Sequence, residues 1–470
     1  MKKYSFLLIL SVLFLASACT DSFFDLEPSD KVPKDKIYKT AADFNIAVVG
    51  CYAKMQSQVS FYTECSEYRS DNMVLLAPTT GTQDRYDIDQ FKETAANGLL
   101  DNYWANFNNQ VYRCNLILDQ IDGVDFDANL KNQYKAEALF LRAYTYFNMF
   151  RVWGGVPITR KVVDVNESLS IGRSTEQEMY DLIVGDLQVI VDNNMLPTSY
   201  RGDDVGRITL GAAQSLLGKV YLTFKKPLEA SKVLEQVLGK YSLQDQPGDV
   251  FDVDNKMNSE IIFAVRFNKN LINKEGKSEG HGYWFAINNP ANAENPSPQL
   301  LSAYSDPADK RKDLISYTQV ESNQYVLKKF YDTKSATTNT VGNDQILIRY
   351  ADVLLMYAEA LNEVTYSNLQ SSPGLKALNE VRTRAGLQPL EISSLPNKDA
   401  FRKAILIERQ LEFPFEGHRW FDLARMGYAK EVMAESGHII TESQLLFPIP
   451  KSVIERVNNM DLVWQNPGYN

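Results

Sequence analysis

Between Phe401 and Gly427 the chain reads FRKAILIERQLEFPFEGHRWFDLARMG, and this stretch limits what the rest can fold into. Glu408, Glu412 and Glu416 recur at i, i+4 and i+8 in what should be two apolar helices. Arg402, Arg409, Arg419, His418 and Asp422 stand close by. Such helices can bury their apolar faces only if the charges go with them and are paired. Two readings compete. Two carboxylates at the right separation can hydrolyse a glycosidic bond, with His418 as a further titrating group. Interleaved acids and arginines are also what helix-to-helix ion pairing requires, and Pro414 and Gly417 mark a turn between short helices. The stretch follows a pair of scaffold helices and lies outside the loop-rich parts of the chain, which favours a brace. Glu408, Arg409, Glu412, Arg419 and Asp422 are its expected members, and no catalytic residue is expected.

Hydrophobic residues make up 44% of the 470, ample for a large core. The net charge is −10, and it becomes more negative once Lys2 and Lys3 are removed with a leader. Phosphate-backbone binding as the main task is therefore excluded. With 3 His against 25 Tyr and 23 Phe, imidazole-based metal chemistry has few ligands to draw on, and neither a metal nor a cofactor is expected.

The N-terminus, MKKYSFLLILSVLFLASAC, places Lys2 and Lys3 ahead of an apolar run from Phe6 to Leu15, then Ala16, Ser17 and Ala18 before Cys19. This is the pattern of a signal peptide, residues 1–18, too short to stay as a spanning helix. Small residues ending at a cysteine look like a bacterial lipoprotein cleavage box, with Cys19 the lipidated (palmitate-type) N-terminus. Ala16 stands where Leu is more usual, and ordinary secretion with an incidental cysteine is the alternative. Residues 19–39 suit an anchor and extended tether. Cys51, Cys65 and Cys114 remain, an odd number without C-x-x-C spacing, which indicates buried free thiols rather than a disulfide framework.

Thr40-Ala-Ala-Asp43 reads as a capping box opening a helix with Phe44, Ala47, Val48 and Cys51 on one face. From Val59 to Asp89 the helical period disappears, and the segment reads as a long surface loop, a common place for function. Asp84, Asp87 and Asp89 in it lack the spacing of a calcium loop and read as a solvated acidic cluster. Two strong helices follow over 99–121 and 129–151, the second stopping at Gly154-Gly155. Ser174-Thr-Glu-Gln177 reads as the cap of the next helix, and Thr209 opens another. Leu217-Gly218-x-x-Tyr221, followed by Ala230 and Leu234, falls on the spacing of a tetratricopeptide repeat, in which Gly218 and Ala230 let two helices approach. A looser echo spans 350–364 and 375–386. Residues 241–345 change character: EIIFAVRF (260–267) alternates like a strand, and a Gly-, Asn- and Pro-rich run follows, carrying Tyr283-Trp284-Phe285. That cluster is either a binding surface or a core plug under long loops. The expected fold is mainly α: a tetratricopeptide-like helical scaffold, about 40–240 and 346–470, with a loop-rich, partly β insertion region at about 241–345, all in one domain over 40–470.

Several stretches together resemble the SusD/RagB family of nutrient-binding outer-membrane lipoproteins of Bacteroidetes. They are CTDSFFDLEPSD after the leader, YRSDN (68–72), YKAEALFLRAYTYFNMFRVWGGVPI (134–158), RITLGAAQSLLGKVYL (207–222), ILIRYADVLLMYAEALNE (346–363), LNEVRTRAGL (378–387), the opening stretch, and LLFPIPKSVIERVNNMDLVWQNPGY (445–469). The resemblance implies a non-catalytic surface lipoprotein of the outer membrane, lipid-anchored and facing the cell exterior. Such a protein captures oligosaccharide, or peptide in the RagB type, and sits as a lid on a SusC-type TonB-dependent transporter. Sugar rings lie on Trp or Tyr faces while Asp, Asn and Arg satisfy their hydroxyls. The candidate ligand-binding residues are accordingly Tyr62, Tyr68, Arg69, Asp71, Asn72, Asp84, Arg85 and Tyr86 in the first loop, with Tyr283 and Trp284 in the second region. By position in the family, the two regions can lie together near the ligand. After Asp71 the chain continues Asn-Met-Val-Leu-Leu-Ala where glycan-binding members can place aromatics, which speaks against a starch-like ligand.

Overall fold

Thr40 starts the first helix as its local chemistry dictates. Its hydroxyl accepts the Asp43 N–H at 3.3 Å, and the Asp43 carboxylate takes the Thr40 N–H at 2.9 Å, closing the capping box. The helix, α1 (Ala41–Gln56), buries Phe44, Val48, Cys51 and Met55. The computed structural model describes residues 38–470 apart from 76–77, 79–80, 273–277, 280, 283–285, 288–293, 322–323, 333–339 and 470. The leader, Cys19, the tether up to residue 37, Tyr283 and Trp284 lie outside the described residues.

The segment expected as a long surface loop is instead largely structured. Ser60–Tyr62 is helical, Thr63–Glu67 forms a π-helical turn, Met73–Leu75 is a strand (β1) and Gln83–Asp89 is a helix (α2). The wider π turn breaks the 3.6-residue period, and polar side chains fill the interior here, so the usual apolar pattern is missing. The helices α3 (Gly98–Ile121) and α4 (Ala128–Trp153) stand where expected. From Ala136 to Met149 α4 is buried on every face, as befits a central helix. Gly154, at φ 73°, ends it. The cap of α5 (Glu176–Asp192) lies one residue later than spacing suggested: Thr175 pairs with Glu178, while the Ser174 hydroxyl donates to Val156 O at 2.7 Å.

Next, α6 (Leu210–Thr223) starts at Thr209 and packs on α7 (Pro227–Glu235). A Cβ on Gly218 would come within 2.5 Å of Leu234, so glycine is required by the approach of α6 and α7 rather than by any turn. The insertion region carries β2 (Ile261–Val265), β3 (Glu294–Pro296) and β4 (Gln345–Arg349). All five residues of β2 are buried, and it pairs antiparallel with β4. The chain then returns to helices α8 (Tyr350–Val364), α9 (Pro373–Arg384), α10 (Lys398–Glu412) and α11 (Arg419–Met426). Packing runs from helix to helix: α4 on α5, α5 on α6, α7 on α8, and α8 on both α9 and α10. One apolar core links residues from Phe44 to Val463. Its thiols Cys51, Cys65 and Cys114 are buried and free.

Gly218→Val should lower unfolding stability by about 1–3 kcal/mol through overpacking. In urea titrations, the combination with Leu234→Ala should be less destabilising than the sum of the two single changes.

Candidate functional site

The YRSDN motif is the hinge between the candidate ligand face and the charged helices. Arg69 is fully buried, its guanidinium carbon 4.5 Å from the Phe91 ring centre and 4.1 Å from that of Phe447. Its Nη2 donates to Gln444 O at 2.7 Å, and its Nη1 lies 2.7 Å from Glu93. Asp71 receives two bonds from Arg419, Nε to Oδ1 at 2.7 Å and Nη2 to Oδ2 at 2.8 Å, plus one from Gln410 at 2.7 Å. Asn72 Nδ2 donates to Glu67 Oε2 at 2.8 Å. The Tyr62 hydroxyl accepts from Tyr144 at 2.9 Å, and Tyr68 is buried in the core. Gly417, at φ 82°, presses against Tyr62 so closely that a Cβ there would lie 2.5 Å from Tyr62 Cβ.

The expected surface placement of Tyr62, Tyr68, Arg69, Asp71 and Asn72 is thus corrected. All five are buried. These bonds of Tyr62, Arg69 and Asp71 run to other parts of the chain, while Asn72 holds Glu67 in its own segment and accepts from the distant Gln410. An unpaired charge or amide in such an interior would be costly, so these polar residues recruit partners there. The brace is correspondingly closer to the candidate face than its place in the sequence implied, because Arg419 and Gln410 hold Asp71 directly.

Asp84, Arg85 and Tyr86 remain half-exposed on α2. Asp84 Oδ2 accepts the Gly98 N–H at 3.0 Å, at the start of α3. Arg85 Nε donates to Glu64 Oε1 at 2.8 Å, while Tyr86 packs its inner side on the core. The acidic cluster read as a solvated loop is part of this helix: Asp87 accepts from Gln83 at 2.7 Å, and buried Asp89 accepts the Leu75 N–H at 3.3 Å.

The first candidate segment is joined to the insertion region by one strand pair. Strand β1 pairs antiparallel with β3, Met73 opposite Pro296, Val74 opposite Asn295 and Leu75 opposite Glu294. Immediately beyond, Ser297 N donates to Asn72 O at 2.9 Å, and its hydroxyl donates to Asp71 O. The β1–β3 pair, with α2 and its Asp84, Arg85 and Tyr86 packed on β1, is the candidate face.

Three carboxyls beneath this face have raised pKa values. Burial pushes Glu67 up from its ordinary 4.5 to about 7, opposed by the bonds from Asn72 and Gly417. Burial likewise takes Asp89 to about 6 and raises Glu64. Sequence reasoning missed Glu67 and took Asp89, which is buried, for part of a solvated acidic cluster. Their only signal was an acid beside an aromatic or apolar neighbour where the 3.6-residue apolar period is lost.

The charged helices form two electrically balanced clusters. In the first, Arg311, Lys329, Arg349, Arg382 and Arg384 face Asp309, Glu260, Glu408, Glu412 and Glu416, five against five among the described residues. In the second, Lys219, Arg409 and Arg425 face Asp352, Asp422 and Glu359. Arg409 lies 2.8 Å from Asp352 and 2.7 Å from Asp422. Burial works to raise the Glu412 carboxyl, but Arg384, Arg349 and Arg311 overcome it and hold the group well below the carboxylate range. Burial and the neighbouring Lys219 push His418 down to about 3, so its imidazole is neutral at physiological pH. A general acid needs a pKa near the working pH, and Glu412 has the opposite setting. Glu408, Arg409, Glu412, Arg419 and Asp422 all act as braces. Of the partners that sequence reasoning missed, Glu260, Arg311 and Lys329 come from the insertion region and Arg349 from the end of β4, just beyond it.

This architecture is that of the mainly α SusD-like proteins. It superimposes on a SusD superfamily protein from Parabacteroides distasonis with a TM-score of 0.78 at 22% identity, covering 93% of this chain and 100% of that one. It is similarly close to a laminarin binding SusD-like protein, TM-score 0.77 and 24% identity over 92% of this chain and 100% of the other. The surface glycan-binding protein A from Bacteroides thetaiotaomicron in complex with laminarihexaose gives 0.76 at 20% identity, over 90% and 99% of the two chains. Residues 266–469 match the family model described as SusD family, and residues 22–222 match that described as starch-binding associating with outer membrane. SusD-like protein P2 of Formosa agariphila is 27% identical over the whole of both chains, and P38 of the same organism 25% over 96% and 97%. The chain belongs to the SusD/RagB family.

Arg409→Ala leaves Asp352 and Asp422 without their shared cation and should cost about 3–5 kcal/mol in denaturant unfolding. Glu67 gives a pH signature. Its folded pKa is raised, so the stability that its protonated form supplies is complete below about pH 4.5 and is lost as pH rises through about 7. Melting curves across that window should show Glu67→Gln gaining on the parent protein as pH increases.

Proposed function

We propose that the protein captures oligosaccharide at the outer membrane without altering it and hands it to a SusC-type TonB-dependent transporter. The observation that carries this reading is the pairing of β1 with β3, which joins two chain segments otherwise far apart into one face. Asp84, Arg85 and Tyr86 border that face with a carboxylate, a guanidinium and a phenol, the groups that bind sugar hydroxyls and ring faces. Tyr283 and Trp284 belong to the segment that leads towards β3, and we assign them the stacking role. The matching family model described as associating with the outer membrane supports the location, and the laminarin and laminarihexaose relatives support the ligand class. A lipid on Cys19 after removal of residues 1–18 would tether the protein on the exterior side, with capture feeding import. The buried, arginine-paired glutamates of the brace favour binding over hydrolysis.

Native affinity gels loaded with a panel of polysaccharides, laminarin included, test the reading. Retardation by at least one glycan is expected, with no reducing sugar released. Trp284→Ala should weaken retardation about tenfold or more at unchanged melting temperature. Retention of peptides with no glycan effect would assign the protein to the RagB type instead. Co-purification with an outer-membrane barrel checks the transporter partnership.

A further inference from the structure

Away from β1 and β3, a recess of about 380 Å³ opens between the α5–α6 connection and the chain leading from α7 into β2. We propose that this recess is a second carbohydrate site, taking one or two residues of a neutral saccharide. Its volume lies at the small end of the range for ligand pockets, about 300–1,000 Å³.

The lining combines the surfaces a sugar needs. Ile261 and Ile262, both buried, supply apolar floor from β2. Tyr200 and Tyr241 stand half-buried in the wall, each with its hydroxyl engaged, Tyr200 donating to Ile208 O at 3.2 Å and Tyr241 lying 3.1 Å from Thr209 Oγ1. Those bonds fix the rings while leaving aromatic surface for C–H contacts. Ser199 and Lys240, exposed at the rim, offer a hydroxyl and an ammonium to sugar oxygens. Among the described residues no aspartate or glutamate lines the recess to compete for those donors.

The backbone around the recess is shaped for this. A Cβ on Gly211 would fall 2.5 Å from the Tyr241 hydroxyl, so glycine there makes room for the ring. Gly206 at φ 105°, Gly239 at 72° and Met257 at 51° all take left-handed conformations along the lining. For Met257 this is a strained state, which persists only where the surroundings enforce it. None of the residues bordering the β1–β3 face lines the recess, so the inference stands apart from the capture face described above.

Methyl-labelled full-length protein, titrated with maltose, cellobiose and laminaribiose at millimolar concentration, tests the proposal. At least one disaccharide should move the methyl resonances of Ile261, Ile262 and Met257, and should do so equally in the Trp284→Ala variant. Tyr241→Ala should weaken that response about tenfold or more. Ser199→Trp, placed on the exposed rim to block the mouth without touching the core, should abolish it. No movement with any of the three sugars, or movement that survives Ser199→Trp in folded protein, overturns the second site. Polysaccharide retardation without methyl movement overturns this site alone, and methyl movement without retardation overturns the capture face alone.

Discussion

Buried charge is the condition on which this fold rests. Glu412 sits at the centre, contacted by Arg311 from the insertion region, Arg349 at the end of β4 and Arg384 at the end of α9. Removing such ions from water is expensive, and mutual attraction offsets the expense only where every group finds partners of opposite sign. Both clusters meet that condition by balance, five cations against five anions and three against three among the described residues. The geometry is thereby specified as well as stabilised. An arginine that slid by one helical turn would strand a carboxylate in the interior.

The same constraint reaches the candidate ligand face. Arg419 emerges from the turn at Pro414 to Gly417 and grips Asp71 with two bonds, while the Gly417 N–H donates to Glu67 at 2.8 Å. Residues separated by some 350 positions in the chain thus form one joint, and β1 leaves that joint to pair with β3. The candidate face is carried on this charge-locked base. Pre-ordering of this kind reduces the entropy lost when a ligand is captured.

Much of the helical scaffold was legible because its signals are local. The Thr40–Asp43 box, the Gly154 stop and the Thr209 cap depend on neighbours a few residues away, and α3, α4, α6 and α8 carry long apolar patterns. Gly218 was legible for a different reason: repeat spacing links it to Ala230 and Leu234 across one short turn. The first candidate loop was misread because exposure was inferred from polarity. Arg69, Asp71 and Asn72 are polar yet buried, and their partners, Gln444, Arg419 and Gln410, lie hundreds of residues downstream. Asp84, Arg85 and Tyr86 stayed half-exposed because α2 turns them away from that interior.

The sequence by itself determined the starts of α1 and α6, the stop of α4, the close approach at Gly218, a strand within 260–267 and the family resemblance, since each rests on short-range spacing or on the order of motifs. That the strand is buried on both faces came only with the fold. For the stretch from Phe401 to Gly427 the sequence favoured a brace over a catalytic centre, and only tertiary structure supplied the partners it braces against. Charge type and helical spacing are the same in both cases. What differs is the identity of the groups facing Glu408, Glu412 and Glu416, and those arrive from Arg311, Lys329, Arg349, Arg382 and Arg384 only when the chain folds.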